Sequence, residues 1–485
     1  MATSRRNSQT HSLRSGIAHW MQRVLDEVDN VGTELAADPV HDLRVALRRC
    51  RTIGEAFREL DPDPAWQEMR KRAKAVFDPL GALRDVQVML EWLEELGSPD
   101  DQAVDKLRTL FTDRESVLKK SAADALQQFD IDQWNISVEG LAARAEKLQP
   151  GDIVYQYLAL ERWQTAHRLH HSALRNRSKT AFHQLRIGLK HFRYIVENFL
   201  PERHEEWGDD LKQLQDLLGE VHDLDVLWDT ALEARVFPES TAREVWRAKI
   251  VTERTQRLNS YRAKMVGPKS LWGVWRAGLP QGPELDKAII AMFRAWASFR
   301  DPDPAHSERV AQFAIALYDG LAAGNLLSTN TPRFRQLLEC AANMHEVGRY
   351  RTQKSHHKRA AKLIAKLEPP DGWGSEDMLI TALTARYHCG SLPRPEHKLF
   401  QQLSVDHQLA TRQLAGILRL ADALDRSHDG SITRLDVARD TELLIIYADG
   451  YDPNHPDAEN ISAARHLLET TCNFPIVIRP FGTAK

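Results

Sequence analysis

Two sets of four basic residues stand 142 positions apart with the same spacing: His41, Arg44, Arg48 and Arg51, then His183, Arg186, Lys190 and Arg193. At 100° per residue, offsets of 0, +3, +7 and +10 fall within about 80° of one another around a helix, so each set makes one cationic strip. The opposite side is apolar in both copies, with Leu43, Leu47, Cys50, Ile53 and Phe57 matching Leu185, Leu189, Phe192, Ile195 and Phe199. A solvated helix usually mixes signs to gain pairs one turn apart, whereas an unbroken strip of cations repels itself until an anion neutralises it. Closely spaced guanidinium and ammonium groups suit phosphate oxygens, and the guanidinium fork grips them two at a time.

The repeat continues downstream. Lys74, Asp78, Gly81, Arg84 and Asp85 are matched by Lys212, Asp216, Gly219, His222 and Asp223, the pattern K-x3-D-x2-G-x2-[R/H]-D. A duplicated helical module is the simplest explanation. Gly81 and Gly219 read as tight turns. Asp85 and Asp223 would repel a polyanion, so they read either as caps of a following helix or as carboxylates that orient arginines. Between Arg162 and Arg193 the chain carries Arg162, Arg168, Arg175, Arg177, Lys179, Arg186, Lys190 and Arg193 without one Asp or Glu. A net charge of −3 over the whole chain therefore conceals a strongly basic segment.

A second kind of chemistry is spelled out near the C-terminus. His306, His345-Glu346, His388 and Asp422 occur in the order used by metal-binding helical phosphohydrolases. If His306, His345, Glu346 and Asp422 converge, they make a mixed imidazole and carboxylate set for one divalent ion, Mg, Mn or Fe. A short Asp after the second His can bridge two ions; Glu346 is one methylene longer, which argues for a single ion. The nearby basic run Lys354, His356, His357, Lys358, Arg359 and Lys362 reads either as an extension of an anion-binding surface or as solvated charge.

The elements that must carry these groups are helices. From residue 12 to about 145, long helical patterns are interrupted by Asp38-Pro39 and Asp61-Pro62-Asp63-Pro64, and residues 153 to 276 repeat the plan with almost no strand-like alternation. A Gly/Pro-rich stretch, Gly278 to Pro283, marks a boundary. Another helical array follows to about 430, and Leu443 to Tyr447 alternate enough for short strands in a small terminal α+β element.

Composition sets bounds. At 485 residues, with 42% apolar and 27% charged residues, the chain is an ordinary soluble globular protein long enough for two or three domains. No apolar run approaches a membrane span and the first sixteen residues lack the apolar core of a secretory signal, so the expected location is cytoplasmic. Cys50, Cys340, Cys389 and Cys472 show no paired metal or redox spacing and read as reduced thiols.

With these residues in view, the segments VHDLRVALRRCRT and PLGALRDVQVMLEWL, and FHQLRIGLKHFRY and LLGEVHDLDVLWDTAL, resemble the CHAD family over about residues 10 to 278, with copies at about 10–145 and 153–278. The resemblance implies a mainly α fold: two pseudo-symmetric four-helix bundles that bind inorganic polyphosphate on a basic central surface. It carries over to His41, Arg44, Arg48, Arg51, Lys74 and Arg84 in the first copy and His183, Arg186, Lys190, Arg193, Lys212 and His222 in the second. No cofactor is required for that binding. After a linker at 279–284, residues 285 to 480 resemble the helical HD-type domain at the C-terminus of exopolyphosphatase and guanosine pentaphosphatase proteins, through HSERVAQFAIALYDGL, ECAANMHEVGRY, SHHKRAAKLI, ARYHCGSLP and GILRLADALDRSHDG. The actin-like, glycine-rich phosphate-binding region that precedes this domain in those proteins has no counterpart in this sequence.

The expected function is polyphosphate binding with a tethered, catalytically reduced HD-type domain. Two alternatives stay open: a metal-dependent phosphohydrolase acting on polyphosphate or phosphorylated nucleotides, and a scaffold on storage granules or nucleoprotein. The expected partners are inorganic polyphosphate and, beyond it, polyphosphate-metabolising enzymes or storage granules. Nucleic acid ranks lower, because few aromatics interleave with the strips.

Overall fold

The computed structural model describes residues 16–32, 35–98, 101–237, 239–350 and 354–482. Residues 10–15, where the first copy is expected to begin, lie outside the described residues. Two compact units divide the chain between Leu285 and Asp286.

The first unit is built of helices in two matching series. The first series is α1 (Ile17–Val31), α2 (Ala37–Leu60), α3 (Ala65–Leu96), α4 (Gln102–Gln127) and α5 (Ile131–Ala145). The second is α6 (Ile153–Asn176), α7 (Lys179–Phe199), α8 (Pro201–Glu233), α9 (Ser240–Met265) and the short α10 (Leu271–Ala277). Among the described residues, each copy is thus four long helices followed by a fifth, one helix more than the expected bundle.

The apolar sides of α2 and α7 explain their burial. Leu43, Leu47, Cys50, Ile53 and Phe57 are all buried, as are Leu185, Leu189, Phe192, Ile195 and Phe199. Each fully buried large apolar side chain stabilises the fold by roughly 1.5–3 kcal/mol. The turn from α2 to α3 is fixed by Asp61, buried yet fully engaged: it accepts from Trp66 Nε1 at 2.8 Å and from Arg144 Nε and Nη2 at 2.6 Å each. Burial alone would raise its pKa, but these bonds hold the carboxyl below its ordinary value. In the second copy Ser178 caps α7 by accepting from Ala181 N at 3.1 Å, and Pro201 opens α8 at a position where no amide donor is needed.

The copies pack on one another through equivalent helices, α2 on α7 and α3 on α8. Arg49 on α2 bridges to α7, donating to Asn198 Oδ1 at 2.8 Å and to Glu197. The C-terminal halves of α3 and α8 join α4 and α9 in one core that contains Val86, Trp92, Phe111, Leu224, Leu227 and Trp246. Trp246 Nε1 donates to Asp101 Oδ2 at 2.6 Å, while Asp101 caps α4.

Gly81 and Gly219 do not make turns. Both sit inside uninterrupted helices, α3 and α8, and so do Asp85 and Asp223, which therefore cap nothing. The apolar register on either side of each motif continues without a break, and that continuity overrides the glycine signal.

The second unit comprises α11 (Pro283–Ser298), whose first residues belong to the preceding unit, α12 (Pro304–Ala323), α13 (Pro332–Met344), a 3-10 turn (Val347–Tyr350), α14 (His356–Ile364), α15 (Ser375–Arg386), a 3-10 turn (Phe400–Gln402) and α16 (Val405–Leu424). A small sheet follows: β1 (Arg434–Arg439), β2 (Leu444–Asp449), then α17 (Ala458–Ala464), α18 (His466–Cys472) and β3 (Ile476–Pro480). β2 is central, antiparallel to β1 and parallel to β3, with the two short helices forming the crossover. The fold is mainly α with this terminal element. No described helix is long and apolar enough to cross a membrane.

Candidate functional site

The α2–α7 seam brings the two strips together. Lys190 lies among Arg48, Arg186, Arg44 and Arg51, so cations from both copies share one locality. Burial, reinforced by those four guanidiniums, pushes the Lys190 pKa down to about 7. Burial also lowers Arg44 and Arg51 from their ordinary values.

The strip residues divide by partner. Arg51 and Lys74 share Asp78 at 3.9 and 3.8 Å, Arg84 pairs with Glu91 at 2.9 Å, and Arg193 pairs with Glu197 at 3.5 Å. Arg44, Arg48, Arg186 and Lys190, all partly buried, form no ion pair among the described residues. Arg44 Nη1, Arg186 Nε and His183 Nδ1 are buried and have no hydrogen-bond partner. His183 and His222 face each other with ring centroids 4.6 Å apart, and burial with Arg186 nearby pushes His222 down to about 4. His41, Lys74 and Lys212 are exposed at the periphery.

Two residues outside the repeat organise these cations. Phe77 on α3 lies under Arg44 and Arg51, with guanidinium carbons 4.9 and 4.5 Å from the ring centroid. Tyr194 on α7 supports Arg48 at 5.5 Å and Lys190 at 5.7 Å. Tyr194 is 4% exposed, so its ring is used to support cations and is not presented to solvent. Their counterparts at the repeat spacing are Gln215 and Thr52, which is why comparing the two copies could not reveal them. The glycines gain a role from the same geometry: a Cβ at position 81 would stand 2.8 Å from Arg44 Nη1, and one at position 219 would stand 4.0 Å from Arg186 Nε.

Asp85 and Asp223 lie between the strips. Asp85 is solvent-accessible, but the crowding around its carboxyl raises its pKa against the pull of Arg44, Arg186, Lys190 and Arg84. Burial pushes Asp223 up to about 6, with Arg186 opposing and Asp85 adding to the shift. These carboxylates temper the cations electrostatically and form no close ion pair with them among the described residues.

In the second unit, the ligand atoms of His306, His345, Glu346 and Asp422 lie within 4.8 Å of one another. Each ring is oriented by its Nδ1. That of His306 is 2.7 Å from Asp425 Oδ2, with Arg309 Nε holding Asp425 at 2.9 Å, and that of His345 donates to Ala342 O at 2.6 Å. Nε2 of His306 and of His345 then face Asp422 Oδ1 at 3.3 and 3.4 Å. His388 follows the same rule, donating from Nδ1 to Ala385 O at 2.7 Å. An imidazole so fixed presents Nε2 as a metal ligand.

His306, His345, Glu346 and His388 are at most 2% exposed, and His345 Nε2 and Glu346 Oε1 have no well-aligned hydrogen-bond partner. Burial would lower the His306 pKa, but Asp422 and Asp425 override it and push the ring up to about 9. Burial beside His345 pushes His388 down to about 3. Buried, unsatisfied donors of this composition fit a divalent ion.

Glu346 reaches further than its side-chain length alone suggested. Its Oε1 also lies 3.4 Å from His356 Nε2 and 3.7 Å from His388 Nε2, forming a second group that shares this carboxylate. Among the described residues, two groups of potential donor atoms therefore adjoin at Glu346. His356 and His357 turn toward this region and leave the basic run to its lysines and Arg359. His388 stands in the order read from the sequence but outside the four-residue set, and His356 reads there only as part of the basic run; the structure brings both beside Glu346.

Residues 16–232 match the family model of the CHAD domain, and residues 298–456 match that described as Ppx/GppA phosphatase, domain III. No curated protein matches the chain significantly. The first match holds both cationic strips and the second holds the His, Glu and Asp cluster, so the chain is a CHAD domain joined in sequence to a Ppx/GppA domain III.

Proposed function

We propose that the chain binds inorganic polyphosphate across the α2–α7 seam. The observation that carries this reading is that Arg44, Arg48, Arg186 and Lys190 are partly buried, mutually repulsive and without an ion pair among the described residues. Folding that gathers such a set leaves an unmet demand for negative charge. A linear polyanion with about one charge per phosphate meets it without base contacts, and both matched families point to polyphosphate-related function. The burial of Tyr194 beneath its cations favours this ligand over single-stranded nucleic acid, which needs open aromatic faces. Titration with a defined-length polyphosphate, then competition with DNA at fixed salt, tests the reading: polyphosphate should displace DNA, and equal displacement in both directions would favour a general polyanion scaffold.

A second reading, a metal-dependent phosphohydrolase of HD type, is favoured by the cluster in the second unit. His306, His345, Glu346 and Asp422 would hold a Mg, Mn or Fe ion, with His388 and His356 beside it. A bound ion of this kind polarises a phosphoryl oxygen and lowers the pKa of bound water. The chain's own contribution is positional: Asp425, Ala342 O and Ala385 O fix the rings, and Arg349 holds Glu346. Metal analysis of the purified protein, with phosphate release measured for wild type and His345→Ala, decides between a binding and a hydrolytic role.

A further inference from the structure

A thiol lies at the outer edge of the second unit's cluster. Cys389 Sγ is 3.7 Å from His356 Nε2, and the ligand atoms of His356, His357 and Cys389 lie within 4.8 Å of one another. All three residues are partly exposed, unlike the buried His306 and His345. Two features hold the set together. Arg419 clamps the Tyr387–Gly390 segment, donating to Tyr387 O at 3.1 Å and to Gly390 O at 2.6 Å, which fixes the backbone on both sides of Cys389. Gly390 has φ of +71°, and a Cβ there would stand 3.2 Å from His357 Nε2, so glycine both makes the bend and leaves room for the imidazole.

The donor set differs in kind from the buried one. The inner group mixes imidazoles with carboxylates and suits hard or borderline ions, whereas two imidazoles and a thiolate select a soft, thiophilic ion. Around tetrahedral zinc, with Zn–N of about 2.0–2.1 Å and Zn–S of about 2.3 Å, nitrogen and sulfur ligands sit roughly 3.5 Å apart. The observed 3.7 Å between His356 Nε2 and Cys389 Sγ is within a small adjustment of that spacing.

We propose that His356, His357 and Cys389 form a site for a thiophilic divalent ion of the zinc class, completed by solvent and sharing only His356 with the buried imidazole and carboxylate cluster. Binding forms a metal–sulfur bond and two metal–nitrogen bonds, and the thiol proton leaves to solvent. The ion keeps its oxidation state. His356 Nε2 is also 3.2 Å from His388 Nε2 and 3.4 Å from Glu346 Oε1. A ring nitrogen donates one lone pair to one ion, so an ion held by Cys389 through this nitrogen withdraws His356 from the inner group.

Cobalt(II) titration of the full-length, metal-free, reduced protein tests the site, because thiolate ligation produces a near-ultraviolet charge-transfer band that imidazole and carboxylate do not. The band should appear, saturate, and be abolished by added zinc. It should be lost in Cys389→Ser, be weakened in His357→Ala, and persist in Cys472→Ser and in His345→Ala, where the inner cluster is broken. X-ray absorption of the zinc-loaded wild type should show a sulfur neighbour at about 2.3 Å, a readout that does not depend on any variant folding. Absence of both the band and the sulfur neighbour in the wild type, or an undiminished band in a folded Cys389→Ser protein, would overturn the proposal.

Discussion

Arg44 lies over Gly81, so close that a Cβ at position 81 would stand 2.8 Å from its Nη1, while the corresponding distance from position 219 to Arg186 Nε is 4.0 Å. The repeated glycine thus serves the cations unequally. Alanine inside a helix is favoured over glycine by up to ~1 kcal/mol, so both Gly81→Ala and Gly219→Ala should hold or raise thermal stability. Only Gly81→Ala should displace its arginine. Loss of one charge-assisted contact predicts about a tenfold weaker polyphosphate affinity for that variant and unchanged affinity for Gly219→Ala, measured by calorimetry.

Lys190 makes the proposed binding sensitive to pH. In the free protein its pKa is about 7, depressed by burial and by Arg48, Arg186, Arg44 and Arg51, and a bound polyanion raises it. The lysine's contribution is therefore complete below pH about 7 and is lost as pH climbs through the higher, ligand-bound value, with proton uptake on binding in between. Asp223, near 6, acts in the same direction at lower pH by shedding its negative charge. Calorimetry in buffers of different ionisation enthalpy should detect the uptake at pH 8. Lys190→Arg, which stays charged, should bind without it.

Lys190 also predicts a stability effect. Replacing a crowded cation by an apolar side chain of similar length relieves repulsion, so Lys190→Met should raise the melting temperature of the ligand-free protein, by ~1 kcal/mol equivalent. With saturating polyphosphate the order should reverse, since the wild type gains more from the ligand.

In the second unit, Asp425 contacts His306 Nδ1 at 2.7 Å and is itself held by Arg309. Its position behind the ring makes it an orienting group. Asp425→Asn should weaken manganese binding by roughly 10–100-fold without abolishing it, whereas His306→Ala or Asp422→Ala should remove the inner ion altogether. Equilibrium dialysis with each variant checks the difference.

Much of this architecture was legible from the chain itself, and the reason is periodicity. The strips at His41–Arg51 and His183–Arg193 announce their helices because charge and burial alternate every turn, and duplication distinguishes them from chance surface charge. Gly81 and Gly219 were misread because a glycine's local preference for turns loses to continuous apolar register along α3 and α8. Phe77 and Tyr194 were invisible because each stands in one copy only, and their use depends on which cations lie across the ring. In the second unit the order of His306, His345, Glu346 and Asp422 was readable. The approach of Cys389 to His356 was not, because a tertiary clamp from Arg419 produces it and no spacing records such a contact.

The most direct measurement is polyphosphate binding by a variant in which Arg44, Arg48, Arg186 and Lys190 are all alanine, titrated beside the wild type at several salt concentrations. The wild type should bind with affinity that falls steeply with salt, as counterion release demands, and the variant should lose most of that affinity with a slope shallower by up to about four phosphate contacts. A folded variant that binds polyphosphate as tightly, and with the same salt slope, as the wild type would contradict the account.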